Sequence, residues 1–452
     1  MKIIVAGAGK IGSAIARALC GEGHDVTVID NDSEAISRIF AELDVMCVPG
    51  SAANPDVLTE AGAADADLLV AATEQDEVNM ICGLSARKLG TANVIARIRD
   101  PEYLHKKEFI GETFGLNMIV NPEYECAKEI SRMLRFPGAS RVDAFSRGSV
   151  EVAEHKVQPG SRLAGLKLCD MPSVFGAKVL VSVVEREQEA YIPNGSFTLE
   201  EGDRLSVTGQ ADELRKFFAA AGKTMKPVRS VLVMGGGRIS VYLSRLLIEN
   251  GMAVTVIEKD KERCERLCDL LPEARIVYGD ATRGELLYEE GISESDAFVA
   301  LSGDDANNII TSMFVSTCGV ERIVTKLSHS QYPEVIAASG LDCVVSAHEI
   351  VAQQLARYAR AMSNSIGSSM ETLYKFADGE AEVIEFIVND KAKCIGIPLK
   401  EMRLRPDTLI AAIIRGNKSI VPDGSTTICS GDHAIIAARS GNIETIDDIL
   451  KS

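Results

Sequence analysis

The sequence carries one pattern twice. Lys2 to Ala6, a short β-branched apolar run, leads into Gly7-Ala8-Gly9-Lys10-Ile11-Gly12. Ser230 to Met234 leads in the same way into Gly235-Gly236-Gly237-Arg238-Ile239-Ser240, and Gly7 and Gly235 lie 228 residues apart. A second apolar run ends on an acid in each half, Asp30 and Glu258, again 228 apart. Further landmarks pair at a spacing of 229: Gly50-Ser51-Ala52 with Gly279-Asp280-Ala281, Ala72-Thr73 with Leu301-Ser302, Asn79 with Asn308, and Arg97 with Lys326. The match continues in Ile192-Pro193-Asn194-Gly195-Ser196 against Val421-Pro422-Asp423-Gly424-Ser425, and in Gly202-Asp203 against Gly431-Asp432. One spacing held over so many landmarks marks a tandem duplication, so each half must build the same unit.

The opening of that unit reads strand, glycine turn, helix, strand, carboxylate. This is the dinucleotide-binding fingerprint in its proper context. Gly7 permits the tight turn, Gly9 lets backbone approach a pyrophosphate, and Gly12 lets helix and strand pack closely. The helix start offers free N–H groups and a positive dipole end to phosphates. Asp30 stands where a carboxylate accepts from a ribose 2′-OH and repels a 2′-phosphate, which favours NAD(H) over NADP(H).

Residues 1–120 alternate short β runs with helical patterns, which predicts an α/β fold with a doubly wound parallel sheet. Asn121-Pro122 opens an amphipathic helix that Pro137-Gly138 ends. Ser149 to Val157 then alternates as a half-buried strand does. The expected organisation is a Rossmann lobe at 1–120, a crossover helix at 121–137 serving as a hinge, a small α+β lobe at 138–221 and a polar linker at 222–228. The second copy follows, with its Rossmann lobe at 229–346, crossover helix at 347–365 and small lobe at 366–452.

Three further segments fall at strand ends on the ligand side of the first copy. Gly50-Ser51 would sit beside adenine and ribose, and Thr73-Glu74 would face the crevice. Arg97, next to Arg99, could reach a phosphate as a charge-assisted donor. Thr73 could equally cap the following helix, and the arginines could be surface charge. The second copy offers Gly235, Gly236, Gly237, Arg238, Ile239, Glu258, Asp280 and Ala281. It departs from the fingerprint in Ser240 for the third glycine, in the longer acid Glu258 followed by Lys259, and in Lys326 for the arginine.

The formal net charge of −17 argues against nucleic acid, which requires a basic face, and against adhesion to anionic lipid. It suits a Lys- and Arg-rich partner such as the cytoplasmic loops of a membrane protein. No apolar run approaches the ~18 residues of a membrane span, and the first residues form a strand with no signal-peptide features, so a soluble cytosolic chain without membrane insertion is expected. The eleven cysteines show neither CxxC nor zinc spacing, and reduced thiols with no metal site are expected. Cys264 and Cys268 sit one helical turn apart. The six histidines, His24, His105, His155, His329, His348 and His433, form no acid/base grouping. A hydride-transferring enzyme needs such a group over the nicotinamide, so no catalytic residues are assigned. An NAD-dependent dehydrogenase and a free redox- or nucleotide-sensing scaffold remain as alternative readings.

The chain resembles the TrkA family, the peripheral regulatory subunits of Trk-type potassium uptake systems, over essentially its whole length. The resemblance rests on Gly7 to Gly12, Val28-Ile29-Asp30, Ala71-Ala72-Thr73, Asp76-Glu77-Val78-Asn79-Met80 and Ile95 to Arg99, with Gly235-Gly236-Gly237, Gly279-Asp280-Ala281 and Asp304 to Asn308 in the second half. It implies two RCK modules per chain, each an N-lobe and a C-lobe. It implies homo-oligomers forming a ring beneath a membrane potassium channel subunit, peripheral at the inner face of the cell membrane, with NAD(H) and ATP/ADP as regulatory ligands. The family pattern places dinucleotide contacts at Gly7 to Ile11, Asp30, Thr73-Glu74 and Arg97, and at the corresponding turn and Glu258.

Overall fold

The computed structural model describes residues 1–104, 106–135, 141–145, 149–187, 189–221, 228–320, 322–328, 341, 343–364, 370–376, 380–416, 418–439, 443 and 445–451. The chain divides into two compact units. One comprises Met1–Ile130 and Ser230–Arg360, the other Ser131–Arg229 and Ala361–Ser452. Most of the expected linker (222–227), Pro137-Gly138, His105 and His329 fall outside the described residues.

The first unit holds two Rossmann sheets. Strands β1 (Lys2–Ala6), β2 (Asp25–Asp30), β3 (Met46–Pro49), β4 (Leu68–Ala71), β5 (Asn93–Arg97) and β6 (Met118–Val120) lie in the order β3-β2-β1-β4-β5-β6. All their pairings are parallel. The order reverses at β1 and β4, and ligands of open α/β sheets bind outside such a switch point, at the strands' carboxyl ends. β4 is buried along its length, as expected for a parallel strand covered on both faces. Helix Lys10–Gly21 turns Ile11, Ala14, Ile15 and Leu19 to the core.

The second copy repeats this with β12 (Ser230–Met234), β13 (Ala253–Glu258), β14 (Arg275–Tyr278), β15 (Ala297–Ala300), β16 (Arg322–Lys326) and β17 (Cys343–Val345), in the order β14-β13-β12-β15-β16-β17. The two copies meet within this unit. Asn121 Nδ2 donates to the Tyr242 hydroxyl at 3.2 Å, the Tyr124 and Tyr242 rings stand edge to face, and Arg360 pairs with Glu22.

The second unit holds two antiparallel sheets. One contains β7 (Arg141–Phe145), β8 (Val150–Lys156), β9 (Leu180–Arg186), β10 (Glu189–Tyr191) and β11 (Arg204–Gly209) in the order β10-β9-β11-β8-β7. The other contains β18 (Met370–Phe376), β19 (Ala381–Ile387), β20 (Thr408–Arg415), β21 (Lys418–Ile420) and β22 (His433–Arg439) in the order β18-β19-β22-β20-β21, the same arrangement. The alternation of Ser149 to Val157 predicts one wet face, and the structure corrects this. β8 is buried on both faces, Glu151 included. Ala153 and Val157 pack under Leu214 and Phe217, while Val150 and Val152 join a core with Tyr374, Phe376 and Ile435 from the other sheet. Arg135 approaches Glu151 at 4.0 Å, so this buried carboxylate is enclosed beside a cation.

Among the described residues no helix is long and apolar enough to cross a membrane.

Candidate functional site

The glycine turn of the first copy is fixed by close approach. Gly7 has φ +113°, and a Cβ there would lie 2.8 Å from the Ala72 carbonyl oxygen. Its N–H donates to the Ile29 carbonyl at 2.7 Å. A Cβ on Gly12 would stand 1.7 Å from the Gly7 carbonyl oxygen, so the first turn of the helix can pack this close to the glycine turn only with a residue that has none. A Cβ on Gly9 would meet nothing within 4 Å. That open space lies beside the N–H groups of the helix start, where an anion is favoured.

Asp30 ties the turn to the end of β2. Its carboxylate accepts the Ala8 N–H on one oxygen and the Asp32 N–H, at 2.8 Å, on the other. About four lone-pair sites are available on a carboxylate, so two remain for a ribose. Gly50, at φ +152° over Val57, donates its N–H to the Asp30 carbonyl at 2.8 Å. Ser51 Oγ accepts the Ala53 N–H at 3.3 Å.

Across the switch point Asn79, fully buried, organises the opposite wall. Its Oδ1 accepts the Thr73 N–H at 2.8 Å and the Thr73 hydroxyl at 2.7 Å, and its Nδ2 donates to the carbonyls of Thr73 and Arg97. Thr73 is thus no helix cap: the capping position of helix Asp76–Leu89 is Gln75. Arg97 Nη1 donates to the Thr73 carbonyl at 2.9 Å, while its buried Nε has no hydrogen-bond partner. Burial, then the neighbouring Arg99 guanidinium, pushes Arg97 below its ordinary value. A cation held under that strain is one that an anion would relieve. Arg99 donates to the Glu74 carbonyl.

These residues line a cavity of about 1020 Å³. Gly7, Gly9, Lys10, Ile11, Asp30, Gly50, Ser51, Thr73, Glu74 and Arg97 all face it. Ala8 and Gly12 do not: Ala8 has its side chain in the core and its N–H on Asp30, and Gly12 serves the helix–turn contact.

The second copy repeats the arrangement around a cavity of about 1000 Å³ lined by Gly235, Gly236, Gly237, Arg238, Ile239, Glu258, Asp280 and Ala281. Gly235 has φ +96°. Glu258 accepts the Gly236 N–H at 2.7 Å and the Asp260 N–H at 2.9 Å. Asn308 accepts from Ser302 and donates to the carbonyls of Ser302 and Lys326, as Asn79 does to Thr73 and Arg97. Hydrogen bonds from the Thr282 N–H and hydroxyl hold Asp280 below the usual carboxylate range. Ala281 packs into the core beneath the crevice.

Two features of the site escaped the sequence. Asn79 and Asn308 stand out there only as repeat landmarks, and their spacing alone was the available signal. The crevices are also not separate, because Ile11, Arg97, Ser328 and His348 line both. Burial and then Lys10 push His348 down, with smaller contributions from Arg97 and Lys326, against a hydrogen bond with Ser328. Lys326 is pushed down by burial, which the opposing effects of Asp305 and Cys126 do not offset. A knot of positive charge therefore lies between the crevices of a strongly acidic chain. No metal-ligand cluster occurs among the described residues, and all eleven cysteines are free thiols. Burial raises Cys82 and Cys126 to about 12, which makes them poor nucleophiles.

Duplicated parallel sheets with a glycine turn and a strand-end acid, each copy followed by a small antiparallel lobe, define a tandem Rossmann-lobe architecture. The TrkA-N domain model matches residues 3–122 and 231–347, and the TrkA-C domain model matches 152–222 and 383–451. The Trk system potassium uptake protein TrkA homolog of Archaeoglobus fulgidus is 33% identical over 100% of both chains. The Trk system potassium uptake protein TrkA of Vibrio alginolyticus is 31% identical over 96% of this chain and 95% of that one. Among solved structures, the GsuK RCK domain superposes with a TM-score of 0.63 at 21% identity, covering 97% of this chain and 92% of that one. The GsuK channel bound to NAD gives 0.63 at 21% identity, covering 97% and 77%. The chain belongs to the TrkA family.

Proposed function

We propose that this chain is the nucleotide-sensing regulatory subunit of a Trk-type membrane potassium uptake channel. It would act from the cytoplasmic face as a ring-forming homo-oligomer, and it would catalyse no reaction. NAD(H) is its ligand at the first crevice, and ATP and ADP compete for the same glycine turn. In this reading Gly7, Gly9, Lys10 and Ile11 receive the phosphates, Asp30 the ribose, and Arg97 a phosphate oxygen. The Vibrio alginolyticus relative is named for Trk potassium uptake, and the GsuK structures bound to NAD and to ADP share the fold.

The observation that carries the proposal is the common wall. A ligand in either crevice contacts residues of both copies, so its binding free energy depends on how the copies are arranged. Such differential affinity is what shifts a conformational population. Ile81 and Leu84 on helix Asp76–Leu89, and their repeat mates Ile310 and Met313, are exposed. Apolar faces repeated in this way suit contacts between copies in a ring.

The test is a thermal-shift series of NADH, NAD, ATP and ADP on the full chain, followed by capture of the Trk-type membrane subunit with and without the best ligand. A ligand selective for the folded state raises the melting temperature with concentration. No shift with any adenine nucleotide, or steady NADH production from NAD and a hydroxy acid, defeats the proposal.

A further inference from the structure

The crevices differ most at the end of the strand that carries the acid. In the first, Asp30 is followed by Asn31 and Asp32, Arg17 is paired with Glu42 at 2.6 Å, and Arg38, the repeat mate of Arg266, also lines the cavity, so the cation without a counterpart is Lys259, which stands where the first copy has Asn31. In the second, the acid is withdrawn. Glu258 makes the same two backbone contacts as Asp30, but it is only 4% exposed and Arg263 Nη1 lies 3.5 Å from its Oε2.

The withdrawal is built into the turn. Gly236 replaces Ala8, and a Cβ there would fall 3.1 Å from Glu258 Oε2 and 2.4 Å from Leu267 Cδ1. A glycine leaves room for the longer acid beneath the loop without displacing the Leu267 side chain. With Arg263 on Glu258, the exposed side chains of Lys259 and Arg266 add positive charge to this side of the cavity, Lys259 beside Asp280, whose carboxyl it helps to hold down. Among the described residues neither is in an ion pair.

The end of this strand is where an adenosine ribose presents its 2′ position. A phosphomonoester there carries between one and two negative charges, which Lys259 and Arg266 would oppose. We propose that the second crevice binds an adenosine moiety bearing a 2′-phosphate, a dinucleotide of the NADP(H) class, while the first takes NAD(H). This rests on the reading of both crevices as nucleotide sites.

The experiment is calorimetric titration of the full chain with NADPH and with NADH. NADPH fills one site per chain. The Lys259→Ala/Arg266→Ala double variant weakens NADPH about tenfold or more, the loss of a hydrogen bond to a charged group, and leaves NADH unchanged. Arg263 is kept, because removing it would expose the charge of Glu258. Asp30→Ala weakens NADH and leaves NADPH unchanged. In that variant 2′-AMP binds more tightly than 5′-AMP, which identifies the 2′-phosphate as the recognised group. Equal NADPH affinity in wild type and double variant overturns the proposal, as does loss of NADPH binding in Asp30→Ala. NADH binding without NADPH binding overturns it alone, whereas binding of neither overturns the reading beneath it.

Discussion

The two glycine turns start from the same strand-to-helix junction and reach different solutions at its third small residue. In the first, a Cβ on Gly12 would sit 1.7 Å from the Gly7 carbonyl. In the second, Ser240 occupies that place fully buried, and Gly235 has φ +96° where Gly7 has +113°. The Ser240 hydroxyl has no hydrogen-bond partner. A slightly different turn admits a small side chain at the cost of one unsatisfied polar atom. The third glycine is therefore a demand of one turn's geometry and not of nucleotide binding as such.

The sharpest way to break this comparison is to exchange the residues. Gly12→Ser should destabilise the chain by about 3 kcal/mol or more, because the contact is with backbone and has no side chain to move. Ser240→Gly should stay within about 1 kcal/mol, since a lost Cβ is set against a relieved buried hydroxyl. Urea unfolding curves measure both, and similar losses would mean that the turns are equivalent.

The opposite walls should behave alike. Asn79→Ala and Asn308→Ala each strand buried carbonyls and a Thr or Ser N–H, which costs about 2–3 kcal/mol apiece. A large inequality in melting temperature between them would show that the repeat is not energetically symmetric.

Ligand binding should separate the copies again. Asp30→Ala should weaken NADH by about tenfold, near 1.4 kcal/mol, through loss of the ribose acceptor. Glu258→Ala should leave NADH affinity where it was, because Glu258 is buried beside Arg263 in the other crevice. Calorimetry distinguishes them, and unchanged affinity in Asp30→Ala would remove the ribose role of that carboxylate.

The smallest effect concerns pH. The folded chain holds His348 below its ordinary value, through burial first and then Lys10. Below about pH 6.5 the unfolded chain takes up a proton that the folded chain resists, so this residue makes stability fall as the pH drops through that range. A phosphate beside His348 would offset part of the loss. Melting temperatures across this range should fall less steeply for His348→Gln than for wild type, and parallel curves would count against the assignment.

Much of this was legible beforehand because the duplication supplies its own check. Gly202-Asp203 and Gly431-Asp432 recur in the sequence without an evident purpose. In the structure Asp203 and Asp432, each 1% exposed, receive both Nε and Nη2 of Arg186 and Arg415 at 2.8 Å. The same acids accept the N–H groups of Glu200 and Cys429. A turn aspartate that binds an arginine and its own loop is one local device, so it repeats with the unit. The strand Val150–Lys156 reads as half-wet in the sequence because alternation reports side-chain polarity, and the second sheet that covers it lies far along the chain.

The order of residues by itself determined the two Rossmann units, their glycine turns and the acids at the strand ends, because these follow from local periodicity, turn chemistry and fixed spacing. Only the tertiary structure decided that Arg97 and His348 would wall both crevices, that Asn79 and Asn308 would lock the opposite side, and that Glu258 would turn inward. Those outcomes depend on packing between segments far apart in the chain, where the volume left by one missing Cβ selects the conformation.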